Sequence, residues 1–286
     1  MSYGHRQEQQ RKQKRRPSGL SLRLIIALGI VLFSVITYYA KTDENPITGE
    51  QQRVGLTEEQ EIKLGLRARS DMAAQHGGAH HDPEARRYVD RIGSKLVNVL
   101  NQQLAAKGKS IGYPFEFHLL ADRRTINAFA LPGGQVFITF ALYNKMETEG
   151  QLAGVLGHEI GHVIHRHGAE RMASQKMWSG IAGAAGVAGG DINSARMAQM
   201  VANFTMMQYG RQDELESDRW GVQLMTQAGY DPNAMLGVMD ILEKYAGGGG
   251  QPEMLSTHPL PKNRKAYIER IIKEQFPNGL PPGLKE

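Results

Sequence analysis

Residues 24–40 (LIIALGIVLFSVITYYA) are seventeen consecutive residues without a charged side chain, and they follow a cluster of basic residues. As a helix rising 1.5 Å per residue, this run is about 26 Å long. The four residues before it bring it close to the ~30 Å hydrocarbon thickness of a bilayer. Tyr38 and Tyr39 at its end are typical of a membrane–water interface. We therefore predict one amino-terminal transmembrane helix at residues 24–40.

The distribution of charge predicts how this helix is oriented. Residues 1–23 hold seven of the 34 Lys and Arg residues and one acidic residue, Glu8, which leaves 27 basic and 28 acidic residues downstream. By the positive-inside rule, residues 1–23 form a basic cytoplasmic tail and the bulk of the chain lies across the membrane. Glu8 and the uninterrupted anchor favour a bacterial inner membrane over a mitochondrial one. We expect a single-pass protein with its folded domain in the periplasm.

Two other interpretations of the apolar run are weaker. A cleaved signal peptide has the same layout, but cleavage after Ala40 would place the large Tyr38 where a small residue is needed. A buried core helix does not explain the flanking charge asymmetry. Because the chain beyond the anchor is electrically almost neutral, we expect no nucleic-acid partner.

The absence of cysteine restricts the chemistry of the protein. It excludes disulfides, thiol catalysis, cysteine-ligated zinc and the modified cysteine of a bacterial lipoprotein. Any metal ion must therefore be held by histidines and carboxylates.

Local patterns beyond the anchor predict an α+β domain at residues 57–286, joined to the membrane by a polar linker or surface strap at residues 41–56. Capping signals at Thr57 and Asp82 predict helices that reach about Gln75 and Leu104. Alternating apolar residues 115–119 predict a strand, and residues 128–140 predict a hairpin around Pro132 and two glycines. Further helices follow from Thr148 and from about residue 261 to 275. The Gly/Ala-rich residues 179–190 are expected to form a mobile loop, with a membrane-leaning flap as the alternative.

The segment Gly157-His158-Glu159-Ile160-Gly161-His162 is the main chemical signal. Residues i and i+4 of a helix are rotated by about 40°, so His158 and His162 project from one face, one turn apart. Two imidazoles in this position can hold a zinc ion, with Glu159 beside them to act on a water molecule. The opposite face of the predicted helix is apolar, which places the polar cluster in the interior or in a cleft.

A catalytic zinc ion needs a third protein ligand. Gly168 stands where a third histidine would follow in the HExxHxxGxxH pattern. Glu214 is a candidate because Asp218, four residues later on a predicted helix, shares its face and could orient a ligating histidine. Glu216 is a rival ligand on this reasoning. His165 and His167 are interpreted as surface groups or as groups that support the ligands.

The combined motifs resemble peptidase family M48, a family of membrane-associated zinc metalloendopeptidases, and within it the Oma1/BepA-like branch. The segments that carry the resemblance are NPITG, EEQEIKLG, NAFALPGGQVFITFAL, GHEIGHVIHRHG, ELESDRWG and THPLPKNR. It implies a mostly helical, zincin-like α+β domain with one Zn²⁺ per chain. The implied roles are ligands for His158, His162 and Glu214, catalytic base for Glu159, and a supporting carboxylate for Asp218.

The THPLPKNR segment contributes two further candidates, His258 and Arg264, as catalytic residues that stabilise the tetrahedral oxyanion. Alternatively, His258 occupies the open position of the zinc ion in a resting enzyme and acts as a latch. A third interpretation leaves His258 exposed beside a proline-shaped turn.

The predicted hairpin is also a candidate binding element. Extended peptides often pair with the exposed edge strand of a sheet, which recognises main chain and favours unfolded substrates. The residues assigned to this substrate-binding strand are Asn127, Ala128, Phe129, Ala130 and Leu131. An ordinary core hairpin is the competing interpretation.

These features predict a membrane-anchored zinc endopeptidase that hydrolyses misfolded or misassembled membrane or envelope proteins. Its expected partners are such protein substrates and the membrane, and the oligomeric state, including a homo-oligomer, stays open. The alternative is a chaperone or assembly factor that uses the same cleft and keeps zinc in a structural or latched role. The intact Glu159 favours the enzyme, because a purely structural zinc site does not use a base.

Overall fold

The computed structural model, which describes residues 19–189, 209–246, 253–258 and 263–286, consists of helices arranged around a small three-stranded sheet. It confirms the predicted α+β class with helices predominating. Several predicted features lie outside the described residues: the basic cluster before residue 19, Gly190, the glycine run at 247–250, and Pro259 and Pro261.

The first helix leads directly into a hairpin that docks on the domain. Helix α1 (Gly19–Tyr39) is followed by β1 (Thr42–Glu44) and β2 (Gln51–Arg53), which pair antiparallel. The sequence predicts a linker or strap here, and the structure has a strap. Buried Asn45 donates from Nδ2 to the carbonyl oxygen of Ile164 (2.8 Å), and Gln52 donates to that of His165. The end of α1 is thereby tied to the end of the HExxH helix.

The two predicted capped helices are confirmed. Helix α2 (Glu58–Gln75) begins with a complete capping box between Thr57 and Gln60. Helix α3 (Pro83–Ala106) is capped by Asp82, whose Oδ1 accepts from the backbone N–H of Glu84 at 2.8 Å. Its apolar stripe is fully buried in the core and consists of Val89, Ile92, Leu96, Leu100 and Leu104.

The sheet contains β3 (Glu116–Leu120), β4 (Ala128–Leu131) and β5 (Gln135–Thr139) in the order β3-β5-β4. The predicted hairpin is confirmed: β4 pairs antiparallel with β5, while β3 lies parallel on the other side of β5. Gly133 in the turn has φ 83°, and a Cβ there would lie 2.5 Å from the Cα of Ile62. This turn therefore requires glycine for both conformation and space. Strand β4 forms an edge of the sheet.

The remaining elements are helical. They are α4 (Phe140–Tyr143), α5 (Glu149–Ile164), α6 (His167–Gly189), α7 (Arg211–Gln227), α8 (Ala234–Ala246), α9 (Glu253–Thr257) and α10 (Arg264–Gln275). The HExxH helix α5 is buried along almost its whole length.

Two glycines bring α5 and α7 close together. A Cβ at Gly161 would lie 2.7 Å from the Cα of Ser217, and one at Gly157 would lie 3.1 Å from the Cα of Gly221. Side chains at these two positions would force the helices apart. The close approach places the residues of α7 directly beside the two histidines of α5.

The prediction of a loop at residues 179–190 is wrong for residues 179–189. Helix α6 continues through them to Gly189 and packs along α1. The Gly/Ala composition suggested flexibility, but small side chains also allow two helices to approach closely, and that packing stabilises the helix. The last helix begins at Arg264, slightly later than the sequence predicted.

Candidate metal centre

Three predicted ligands converge on one point in the interior. The Nε2 atoms of His158 and His162 lie 3.0 Å apart. The Glu214 carboxylate of α7 lies 3.5 Å from His158 Nε2 through Oε2 and 3.4 Å from His162 Nε2 through Oε1. Atoms bound tetrahedrally to zinc at 2.0–2.1 Å are about 3.3 Å apart, so these separations fit a single zinc ion.

The surroundings of Glu159 provide a second test of this fit. Glu159 is completely buried, and neither carboxylate oxygen has a hydrogen-bond partner among the described residues. A buried carboxylate without partners is costly, so this group needs a ligand that the protein itself does not supply. A metal ion with its water would satisfy it, and the donor set of two imidazoles and a carboxylate matches a catalytic zinc site.

Asp218 holds the ring of His158, as expected for a supporting carboxylate. Its Oδ1 lies 2.9 Å from His158 Nδ1, so that the ring donates its Nδ1 proton and leaves Nε2 free for the metal ion. Asp218 is fully buried one turn after Glu214, on the same face of α7.

Arg264 lies at the centre and contacts both carboxylates of α7. Its guanidinium donates to Asp218 from Nε and Nη2 at 2.8 and 2.7 Å, and its Nη1 lies 2.8 Å from Glu214 Oε2. The side chain is buried, and its Nη2 also lies 3.2 Å from Nδ1 and 3.4 Å from Nε2 of His158. The guanidinium therefore neutralises two carboxylates beside the predicted ligands, and its role as an oxyanion stabiliser stays a prediction.

The charges of the centre follow from these contacts. Burial opposes protonation of His158, but its bonds to Asp218 and Glu214 outweigh burial and raise its pKa to about 9. Burial alone would raise the pKa of Glu214, but the charges of His258 and Arg264 hold it well below its ordinary value. Burial also raises the pKa of Glu159, bringing this carboxylate closer to the range that suits a general base.

His258 is buried and lies inside the centre, which contradicts the interpretation of an exposed histidine beside a turn. Its Nδ1 is 3.0 Å from Glu214 Oε1 and 3.3 Å from His158 Nε2, and its Nε2 is 3.6 Å from Glu159 Oε1. His258 therefore completes a group of four potential ligand atoms that all lie within 4.8 Å of one another. A catalytic zinc site has three protein ligands and keeps its fourth position for water or substrate, and His258 is the fourth donor of this group.

The sequence did not decide whether His167 is a surface group or supports a ligand. In the structure, His167 contacts the predicted ligand His162. Its Nδ1 lies 2.9 Å from Nδ1 of His162, and its Nε2 lies 3.1 Å from Glu216 Oε2. A continuous hydrogen-bonded chain thus runs from the ring of His162 to a carboxylate and fixes that ring from behind. Helical periodicity could not predict this contact, because the helix ends between the two histidines.

The turn between α5 and α6 makes that contact possible. Arg166 adopts φ 56°, a left-handed conformation that bulky residues rarely adopt. Its guanidinium holds it there by donating to buried Glu61 at 2.8 and 2.6 Å and to the carbonyl oxygen of Leu56 at 2.6 Å. No local pattern in the sequence indicates this ion pair, which joins residues 105 positions apart.

His165 belongs to a hydrogen-bonded network beside the centre. Trp220 donates from Nε1 to His165 Nε2 at 2.9 Å, which leaves the ring proton on Nδ1. That nitrogen faces Glu50 and Glu216 at 3.1 and 3.4 Å. A protonated Nδ1 has no lone pair for a metal ion. His165, Glu50 and Glu216 therefore form an electrostatic contact between the strap and α7.

The five residues of the predicted substrate strand have different surroundings in the structure. The side chain of Asn127 donates to Glu253 of α9 at 3.2 Å, and Ala128 is fully buried, so both contribute to the domain itself. Ala130 and Leu131 are partly exposed and line a small cavity together with His162. Phe129 stacks on Phe137 of β5 with ring centroids 4.9 Å apart. The backbone of edge strand β4 therefore lies next to the centre, and substrate binding by this strand stays a prediction.

Known proteins are similar to this chain over most of its length. The model of the family "Peptidase family M48" matches residues 83–272. The chain is 34% identical over 208 residues to the beta-barrel assembly-enhancing protease of Escherichia coli K12, covering 69% of this chain and 41% of that protein. It is 30% identical over 245 residues to the mitochondrial metalloendopeptidase OMA1 of Schizosaccharomyces pombe, covering 84% of this chain and 69% of that protein. The bovine metalloendopeptidase OMA1 is 31% identical over 170 residues, 54% of this chain and 32% of that protein. The chain thus spans about two fifths of the length of the bacterial relative.

Proposed function

Since the chain belongs to peptidase family M48, a family of metalloproteases, we propose that it is a membrane-anchored zinc endopeptidase that hydrolyses misfolded or misassembled membrane or envelope proteins. The single observation that carries the proposal is the arrangement at Glu159. A buried carboxylate without a partner lies beside the converging atoms of His158, His162 and Glu214. This arrangement serves a catalytic metal, whereas a structural metal site gains nothing from it.

The chemistry is divided between the metal ion and the chain. Zinc held by His158, His162 and Glu214 supplies polarisation of the scissile carbonyl and a lowered pKa for water. Glu159 accepts the proton of the attacking water on a carboxylate oxygen and delivers it to the leaving amine nitrogen. Asp218 keeps the ring of His158 in the correct tautomer throughout the reaction.

We propose that His258 is a latch. The latch is supported by the contacts of its ring, which lies 3.0 Å from Glu214 Oε1, 3.3 Å from His158 Nε2 and 3.6 Å from the proposed base Glu159. Hydrolysis then requires that His258 move away. His258 directly follows α9, a short helix of five residues, so a displacement of this short segment would carry it out of the centre. A latch would protect neighbouring proteins from cleavage while no substrate is bound.

We also propose that α1 anchors the enzyme in a bacterial inner membrane with the metal centre on the periplasmic side. Residues Leu22–Tyr39 of α1 are long and apolar enough to cross a bilayer by length and composition. Most of their large apolar side chains are exposed, for example Phe33 at 69%, as suits contact with lipid.

Recognition of main chain by the edge strand β4 fits substrates that have lost their native structure. The relatives are named as a protease that enhances beta-barrel assembly and as mitochondrial metalloendopeptidases. These names favour protein quality control at a membrane as the role of this chain. A chaperone or assembly factor with a structural zinc ion is the other function that the same cleft permits, and it would not require Glu159.

Cleavage of casein by the full-length protein in detergent tests the proposal. Wild type, Glu159→Gln and the control Glu147→Gln are compared with and without a zinc chelator. Glu147 is an exposed carboxylate just before the same helix.

We expect chelator-sensitive cleavage by wild type and control. Glu159→Gln should bind zinc but cleave about 10²- to 10⁴-fold more slowly. Chelator-sensitive cleavage by Glu159→Gln at the wild-type rate would refute the assigned base. A zinc-loaded wild type and a zinc-loaded His258→Ala that both fail to cleave would favour the chaperone.

A further inference from the structure

Helix α6 changes character halfway along its length. Its first half is charged and includes Glu170, Arg171 and Lys176, whereas residues 177–189 (MWSGIAGAAGVAG) contain no charged side chain. At 1.5 Å per residue this uncharged half is about 20 Å long, or two thirds of a hydrocarbon core of ~30 Å. It is too short to cross a membrane, and the catalytic chemistry does not use it.

This uncharged half packs directly on the proposed membrane anchor. Gly180 is so close to α1 that a Cβ there would lie 2.1 Å from Ser34 Oγ. Gly55 lies beyond the end of α1 in the chain. A Cβ at Gly55 would be 4.0 Å from the Cβ of Ala173, which belongs to the first half of α6. Helix α6 therefore runs antiparallel to α1, away from the metal centre and alongside the apolar span.

The charged half of α6 ends beside the end of the apolar span of α1. With Gly180 opposite Ser34 and an equal rise per residue, Lys176 of α6 falls at about the level of Tyr38 of α1. Tyr38 lies near the end of the apolar span, and Trp178, exposed at 43%, follows Lys176 by two residues. Aromatic side chains at one level on two neighbouring helices match a membrane–water interface.

We propose that residues 177–189 of α6 are inserted in the bilayer beside α1, so that lipid acyl chains cover their outer face. A helix satisfies its own backbone hydrogen bonds, and among the exposed residues of this half are Gly183 and Ala185, which bring no polar side chain into hydrocarbon. Small residues on the inner face allow close packing against the span.

Insertion of α6 has a consequence for substrate access. Helix α6 begins at His167, which contacts the metal ligand His162, and Lys176 is nine residues further along. This length of helix is about 14 Å, so the metal centre is held within reach of the membrane surface. The inference depends on the proposed anchoring by α1 and adds that substrates are engaged where they leave the bilayer.

The natural absence of cysteine allows a direct test with single spin labels. Gly183→Cys probes the inserted half, where a Cβ would meet no atom within 4 Å. Phe33→Cys is the lipid control on the exposed face of α1, and Gln175→Cys is the water control in the charged half of α6. Each full-length variant is reconstituted in vesicles of phosphatidylethanolamine and phosphatidylglycerol. Electron paramagnetic resonance then measures collisions with oxygen and with a polar nickel chelate.

We expect the ratio of oxygen to nickel collisions at position 183 to resemble that at position 33 and to exceed that at position 175 by about tenfold, since polar solutes are excluded from hydrocarbon. Frequent nickel collisions at position 183 would overturn the inference, and so would low rates with both reagents, which indicate a protein interior. A water-like result at position 33 would show instead that the anchor itself is wrong. Cleavage of casein by Gly183→Cys at the wild-type rate would show that the labelled protein is folded.

Discussion

Replacement of His258 by alanine should change the rate of cleavage, and the direction of the change distinguishes a latch from a residue that stabilises the oxyanion. Its Nδ1 lies 3.0 Å from Glu214 Oε1 and 3.3 Å from His158 Nε2, in the fourth position around the predicted ion. A latch must leave this position before substrate enters. Removing its imidazole should therefore accelerate cleavage, whereas removing a group that stabilises the transition state should slow it.

The magnitude follows from the contacts that must be broken. A contact of this kind with a charged group contributes about 1.5 to 3 kcal/mol. The closed state is then favoured about 10- to 150-fold, and the competent fraction of the enzyme is reduced by the same factor. We expect kcat/KM of His258→Ala to rise by about one to two orders of magnitude. By contrast, loss of a donor to the oxyanion typically lowers kcat by about 10² to 10³.

The assay is the initial rate of casein cleavage by full-length protein, with bound zinc measured in each sample. Ser256→Ala, two residues before His258 in α9, is the matched control, because it removes a half-exposed side chain of little bulk. His258→Asn is a second variant that keeps a polar group in the cavity if the alanine variant unfolds. A decrease in rate with zinc retained would refute the latch, and an unchanged rate would refute both roles.

Arg264→Ala should lower the free energy of unfolding by about 3–5 kcal/mol, since it leaves the buried carboxylates of Asp218 and Glu214 without their cation. Arg219→Ala removes an ion pair that is about half exposed and should cost less than about 1 kcal/mol. Both are measured by urea denaturation, with zinc content as a second reading. Asp122→Asn should cost about 1–2 kcal/mol at pH 7, because Asp122 Oδ1 accepts two backbone N–H groups.

The pH dependence of the Asp122 variant follows from the sign of its pKa shift. Burial alone would raise the pKa of Asp122, but hydrogen bonds from Thr125, Arg124 and His76 lower it below its ordinary value of 3.8. The stabilisation is complete above that value and is lost as the pH falls below it toward the folded-state pKa. A difference between wild type and variant that grows on acidification would contradict this account. An Arg264→Ala variant with full stability and zinc content but slow cleavage would support the predicted role of Arg264 as an oxyanion stabiliser instead.

Much of the secondary structure could be predicted because its signals are local. The capping box at Thr57, the cap at Asp82 and the glycine turn after Pro132 each involve residues within a few positions of one another. The same holds for the pair His158 and His162, which one turn of helix places on a common face. These features needed no knowledge of the remaining fold.

The prediction of a loop at residues 179–189 was wrong because the structure of this segment depends on a distant part of the chain. Glycine and alanine in a row have little apolar surface and suggested a mobile loop, but Gly180 lies against Ser34 of a helix about 146 residues earlier in the chain. The propensity of this segment is a weak indicator, and packing against another helix overrides it. No local signal in the sequence indicates which partner a Gly/Ala segment will find.

The sequence by itself predicted one helix long and apolar enough to cross a membrane, excluded thiol ligands, and placed two histidines on one helix face with a glutamate between them in the chain. Only the tertiary structure decided what surrounds this pair, since Asp218 and His258 join His158 across 60 and 100 positions of the chain. It also placed Arg264 against the carboxylates of Asp218 and Glu214. The physical reason is that hydrogen-bonded helices and turns form between near neighbours, whereas the meeting of distant groups depends on how closely helices can pack. In this protein, Gly157 and Gly161 permit that approach and thereby bring Glu214 to the two histidines.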